Sequence, residues 1–123
     1  MTWIYHQRSG DLYLNGEFIG TGYAGRMTNK NNPDRQHVRG LGPLPRGTYH
    51  FGQISRKFGP MTVQLVPDAT NTMYGRSHFY VHAERRNPPF GWASEGCIVV
   101  NATIRHRLVN SIRGGERQLV VVE

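Results

Sequence analysis

Only one stretch of this chain repeats its apolar residues at helical spacing. Ile104, Leu108 and Ile112 recur every four residues, which predicts a single amphipathic helix of about three turns. Asn101 stands ahead of it as an N-cap, and Gly114-Gly115 stops it. The rest is interrupted too often to be helical. The 123 residues hold 15 glycines and 7 prolines, about 18% of the chain against a usual ~12%. The apolar segments between these breaks are short and end at turns. The expected fold class is therefore mostly β with one C-terminal helix.

The strands can be placed. Asp11 to Gly20 reads as a hairpin, because Asn15-Gly16 tolerates the positive φ angles of a type I′ turn. Residues 47–52 form a short strand entered from the turn Leu44-Pro45-Arg46. Met61 to Val66 alternates apolar and polar positions, as a half-buried strand does. Residues 79–82 and 97–100 are further candidates, the second short and continuously apolar like an interior strand. Residues 117–122 close the chain as a strand. Between 24 and 47 lies a long loop rich in Gly, Asn, Pro and Arg, and such loops in small domains are often functional. No repeat or linker divides the chain, so one domain over 1–123 is expected.

Fifteen Lys and Arg against eight Asp and Glu give a net charge of +7. A balance of this sign attracts anions such as nucleic acid, anionic lipid or an acidic cell-wall polymer. The cations are dispersed, never more than two in a row, and no RNA-recognition or zinc-finger pattern appears. Nucleic acid is thus not an expected partner. Met1 to Arg8 lacks the apolar core of a signal peptide, and no apolar run reaches the ~20 residues that span a bilayer. The expectation is a soluble protein made in the cytoplasm, without membrane insertion.

Chemistry concentrates around the lone cysteine, Cys97, which excludes an internal disulfide or a cysteine-based metal cage. A single cysteine can be a core filler. Here Ser94-Glu95-Gly96 leads into it, which puts the sulfur at the mouth of a strand. Gly96 has no Cβ, so its amide is expected to stand free, and the Gly96 and Cys97 amides could hold an oxyanion. A thiolate nucleophile needs a partner to lower its pKa, most often histidine. Of six histidines, His82 at a strand end is the best placed and His78 its nearest rival. His82 could instead merely cap its strand. The His78/His82 spacing converges on a metal only in a helix. In the strand expected here the pair stands roughly 13 Å apart, so no metal or other cofactor is expected.

The order of a strand ending in His, a variable loop and Ser-x-Gly-Cys-Ile resembles the L,D-transpeptidase (YkuD-like) catalytic domain. Asn15-Gly16, Gly20-Thr21-Gly22-Tyr23, Asn31-Asn32-Pro33, Gly42 to Gly47, Pro67-Asp68, Gly75-Arg76-Ser77 and Ala93 to Val99 resemble, in order and spacing, its type VI secretion effector branch. The resemblance implies an L,D-transpeptidase-like β-sandwich or partial barrel. It implies an enzyme acting on peptidoglycan stem peptides at the terminal D-amino acid next to diaminopimelate. It also implies delivery by a type VI secretion apparatus into the periplasm of rival Gram-negative bacteria, with a cognate immunity protein in the producer.

Residue by residue, Cys97 matches the nucleophile, His82 the base and Gly96 the oxyanion-hole position. Ser94 and Glu95 are expected beside the substrate. Glu95 stands where most cell-wall members carry a second histidine, and Ala83 and His78 also depart from the usual pattern. Val99 replaces an arginine that often helps bind substrate, so another cation must serve. Arg76 is nominated for a stem-peptide carboxylate, with loop-bracing through backbone carbonyls as the alternative. The group that orients His82 is open; a backbone carbonyl would suffice. The competing functions are a non-catalytic wall-binding module and a small basic nucleic-acid-binding protein. Among enzymes, NlpC-type peptidases place Cys before His, the reverse of the order here.

Overall fold

The computed structural model describes residues 2–123. Met1, the first residue of the N-terminal stretch read above, lies outside the described residues. The elements run β1 (Trp3–His6), β2 (Asp11–Leu14), β3 (Glu17–Thr21), β4 (Gly47–Ser55), β5 (Thr62–Pro67), β6 (Phe79–His82), β7 (Ile98–Val99), α1 (Ala102–Arg113) and β8 (Gln118–Val122). The strands form one curled sheet in the order β3-β2-β1-β8-β4-β5-β6-β7. Its pairs are antiparallel except β1 with β8 and β6 with β7. Just past β3, Tyr23 exchanges two backbone hydrogen bonds with Val99 of β7, at 3.0 and 2.8 Å. The sheet's two edges are thereby drawn together into a partial barrel, so the mostly-β expectation with one late helix holds.

Local chemistry explains the individual elements. Asn15 and Gly16 turn β2 into β3 with φ angles of 51° and 82°. The Asn101 side chain accepts from the Ile104 amide at 2.9 Å and starts α1. The helix turns Ile104, Leu108 and Val109 into the core, against Trp3, Leu12, Val81, Ile98 and Leu119. Trp3 is fully buried, and its indole N–H donates to Ser111 of the helix at 2.8 Å. Gly20 lies so close under α1 that a Cβ there would meet Ile104 at 2.5 Å.

Three boundaries differ from the sequence reading. The N-terminal segment is a strand, β1, which gains its order from parallel pairing with β8 at the far end of the chain. The third strand runs on to Ser55, with a register shift between Phe51 and Ile54. The segment from Cys97 pairs as a strand only at Ile98–Val99, so the sulfur sits just ahead of β7. The long loop between β3 and β4 contains two short 3-10 turns, Met27–Asn29 and Pro33–Arg35. Among the described residues, no helix is long and apolar enough to cross a membrane.

Candidate active site

β6 alternates its side chains between two environments. Phe79 and Val81 point into the core, so Tyr80 and His82 belong to the opposite face. Its parallel partner β7 pairs Ile98 with Val81 and Val99 with His82. One step earlier in that register, Cys97 falls beside Tyr80, and the Tyr80 amide donates to Cys97 Sγ at 3.3 Å. Cys97 therefore shares a face with Tyr80 and His82. Both Cys97 and His82 line an open cavity of about 720 Å³.

His82 is tied in one tautomer. Its Nδ1 lies 2.7 Å from the Ala83 carbonyl oxygen. A carbonyl only accepts, so Nδ1 carries the proton and Nε2 keeps its lone pair. The orienting group left open in the sequence is thus the neighbouring backbone carbonyl. Phe58 packs against the ring with centroids 5.2 Å apart. Burial pushes the imidazole pKa below its usual value; Ala83 and Glu84 oppose that shift, and Arg105 adds to it.

Cys97 is 9% exposed. Burial pushes its thiol up to about 11, and the Glu95 carboxylate adds to this, while the Tyr80 amide, its own amide and Arg76 work in the other direction. The Cys97 thiol and the His82 imidazole that line this cavity are therefore both neutral at rest. The rival His78 contributes its carbonyl, 4.0 Å from the sulfur, while its exposed ring hydrogen-bonds Ser77 at 2.8 Å. Among the described residues, no group of three or more His, Cys, Asp or Glu is placed to hold a metal ion.

The loop entering Cys97 is organised from below. Ser94 is fully buried. Its hydroxyl accepts from the Gly25 amide at 2.8 Å and the Gly96 amide at 3.0 Å, and donates to the Cys97 carbonyl. This corrects two expectations. Ser94 is sealed beneath the loop and does not face the cavity. The Gly96 amide is not free, because Ser94 Oγ accepts its hydrogen. What Gly96 supplies is backbone shape: its φ is 126°, and a Cβ there would meet Phe79 at 2.5 Å and Arg76 at 2.6 Å.

Arg76 follows the bracing alternative. It is 6% exposed, and its guanidinium donates to the carbonyls of Gln36, Pro43, Gly42 and Glu95. These bonds fasten the long loop to the cysteine loop, and Phe79 lies beneath the guanidinium at 5.2 Å. With its N–H groups so engaged, Arg76 is poorly placed to take a carboxylate as well. Glu95 is exposed and lines the cavity.

Several lining residues carry no signal that sequence reasoning could use. Arg26, Arg39, Lys57 and Arg85 bring four cations to the cavity wall, and Phe58 and Trp92 bring aromatic surface. A second clasp holds the loop after β6. Tyr23 donates to Glu84 at 2.7 Å and accepts from the Ala93 amide at 3.1 Å, and Glu84 also accepts from the Gly91 amide at 2.8 Å. The two Tyr23 contacts span 61 and 70 positions, so no local pattern announces them.

The sequence profile of the Tlde1 domain matches residues 19–123, most of the chain. The protein belongs to the Tlde1 domain family. Tlde1 domain proteins are type VI secretion effectors. Among solved structures, Bd1075 of Bdellovibrio bacteriovorus is similar with a TM-score of 0.60 at 19% identity, over 98% of this chain and 47% of that one. That likeness speaks to the fold, and this chain spans about half the length of Bd1075. No curated protein sequence matches.

Proposed function

We propose that this Tlde1 domain is a cysteine-nucleophile L,D-carboxypeptidase and L,D-transpeptidase. Its substrate is the stem tetrapeptide of peptidoglycan, at the bond between diaminopimelate and D-alanine. One observation carries the reading: His82 at the end of β6 and Cys97 just ahead of the adjacent β7 line the same cavity, with His82 Nε2 unprotonated. The cationic wall suits a substrate carrying several carboxylates.

The chemistry is acyl transfer. As the substrate carbonyl approaches, His82 Nε2 takes the proton of Cys97 Sγ. The new S–C bond pushes the carbonyl π pair onto oxygen, where the Cys97 amide donates to it. The C–N bond then breaks, and the D-alanine nitrogen leaves with the proton held by His82. Water attacks the thioester to release the shortened peptide and restore the thiol, or an amine attacks to give exchange. Because the resting pair is neutral, the thiolate forms only in company with substrate. Secreted into a rival Gram-negative cell, such an enzyme acts in the periplasm as an antibacterial toxin, and the producer's immunity protein restrains it.

Purified muropeptides test this reading. The protein should remove or exchange one D-alanine per tetrapeptide, as read by mass spectrometry. Cys97→Ala and His82→Ala should leave masses unchanged, whereas His78→Ala should retain measurable turnover. Unchanged masses with the folded wild-type protein would refute the enzymatic reading and favour a wall-binding module.

A further inference from the structure

We propose that Arg26 is the receptor for a substrate carboxylate, a role that rests on the acyl-transfer reading above. The cation expected to serve this purpose, Arg76, has its guanidinium engaged by four backbone carbonyls. Arg26 lines the same cavity as Arg76 and Cys97, but it is only partly buried, and its Nε is sealed from solvent with no hydrogen-bond partner. A buried donor without an acceptor carries a free-energy cost. Such a cost is recovered when a ligand supplies the acceptor, and an arginine presents paired N–H donors matched to the two oxygens of a carboxylate.

Its backbone is held at the cavity wall. The Arg26 amide donates to the Leu41 carbonyl at 2.8 Å. Its neighbour Gly25 donates to Ser94 Oγ, the hydroxyl that also holds the Gly96 amide. Arg26 is thereby anchored to the cysteine loop, whereas Phe58 packs against His82 on the other strand. A peptide whose scissile carbonyl meets Cys97 would set a flanking carboxylate against Arg26. The ion pairs among the described residues, Arg8 with Glu123 and Arg107 with Glu17, use other side chains, so no internal acid competes for this one.

Two sources of carboxylate fit: the terminus of the leaving D-alanine and the side-chain centre of diaminopimelate. Calorimetric titration of the tetrapeptide into Cys97→Ala protein separates them without requiring turnover. The peptide is used unmodified, amidated at D-alanine, or amidated at diaminopimelate. Adding Arg26→Gln should weaken binding of the unmodified peptide on the order of 10- to 100-fold. Arg26→Lys should fall between. One amidated peptide should bind the Arg26 protein as weakly as Arg26→Gln binds the unmodified one, and should lose nothing further in Arg26→Gln. Arg8→Gln, which removes a charge away from the cavity, controls for net charge, and melting curves confirm that each variant is folded. Equal affinity with and without Arg26, equal sensitivity of both proteins to amidation, or no binding by the folded protein would overturn the assignment. In wild-type protein the same loss should appear in KM with kcat largely kept. A wild type that binds with this pattern but turns nothing over would overturn the acyl-transfer reading and leave the carboxylate receptor standing.

Discussion

The sheet-and-helix core and the loops around the cavity are held by different forces. In the core, Trp3, Tyr49, Val63, Ile98 and Leu119 are buried side by side, and their contribution scales with area and has little direction. The cavity wall is held by single directional contacts from side chain to backbone. Arg76 gathers four carbonyls, Ser94 links Gly25 to Gly96 and Cys97, and Asn31 accepts from the Ala24 amide at 3.1 Å. Damage to the core should lower stability without altering the chemistry of molecules that remain folded. Damage to the wall should misplace the sulfur even where the fold survives.

The largest stability loss should come from Trp3→Ala, about 3–5 kcal/mol by chemical denaturation, with kcat per folded molecule unchanged. A fall in kcat at full folding would erase the distinction between the two regions. Arg76→Gln should cost less, about 2–3 kcal/mol for the carbonyls left unpaired, yet reduce kcat at least tenfold. Arg76→Gln protein that is destabilised but fully active would show that the brace is only structural. Ser94→Ala should cost about 1–3 kcal/mol and slow alkylation or turnover at Cys97, read as the ratio of the two rates to wild type.

The pH dependence sharpens the same contrast. Burial lowers the His82 pKa, so the base stays neutral and competent through neutrality. Its contribution to both activity and stability is complete above the ordinary imidazole value near 6.5 and is lost as pH falls through the lower folded value. The acid limb of kcat/KM should therefore lie below about pH 6.5. Burial raises the thiol to about 11, so alkylation of the free enzyme should climb as pH approaches that value. The stability that the buried neutral thiol contributes is full below the pKa of an exposed thiol and declines from there up to the folded value. An alkylation rate already flat at neutral pH would indicate a resting thiolate.

What could be read in the sequence follows the same division. The Asn15-Gly16 turn, the Ile104/Leu108/Ile112 helix and its Asn101 cap are local devices, and each appears where expected. The placement of Cys97 ahead of a strand was legible from Ser94-Glu95-Gly96. β1 was not, because four residues carry too little pattern and its partner strand is at the other end of the chain. The duties of Ser94 and the Gly96 amide were equally hidden, and that of Arg76 was left between substrate binding and bracing. Whether a buried arginine meets a ligand or a carbonyl depends on loops distant in sequence, here Gln36 to Pro43, which contact it across more than thirty positions.

The central claim is that the sulfur of Cys97 becomes covalently acylated. Acid-quenched protein, mixed briefly with tetrapeptide and weighed intact, tests it directly. The account predicts a population heavier by the stem peptide less its terminal D-alanine, mapped to Cys97 by peptide sequencing and absent in Cys97→Ala. Product release from a protein whose Cys97 never carries the adduct, or an adduct mapped to another residue, would contradict it.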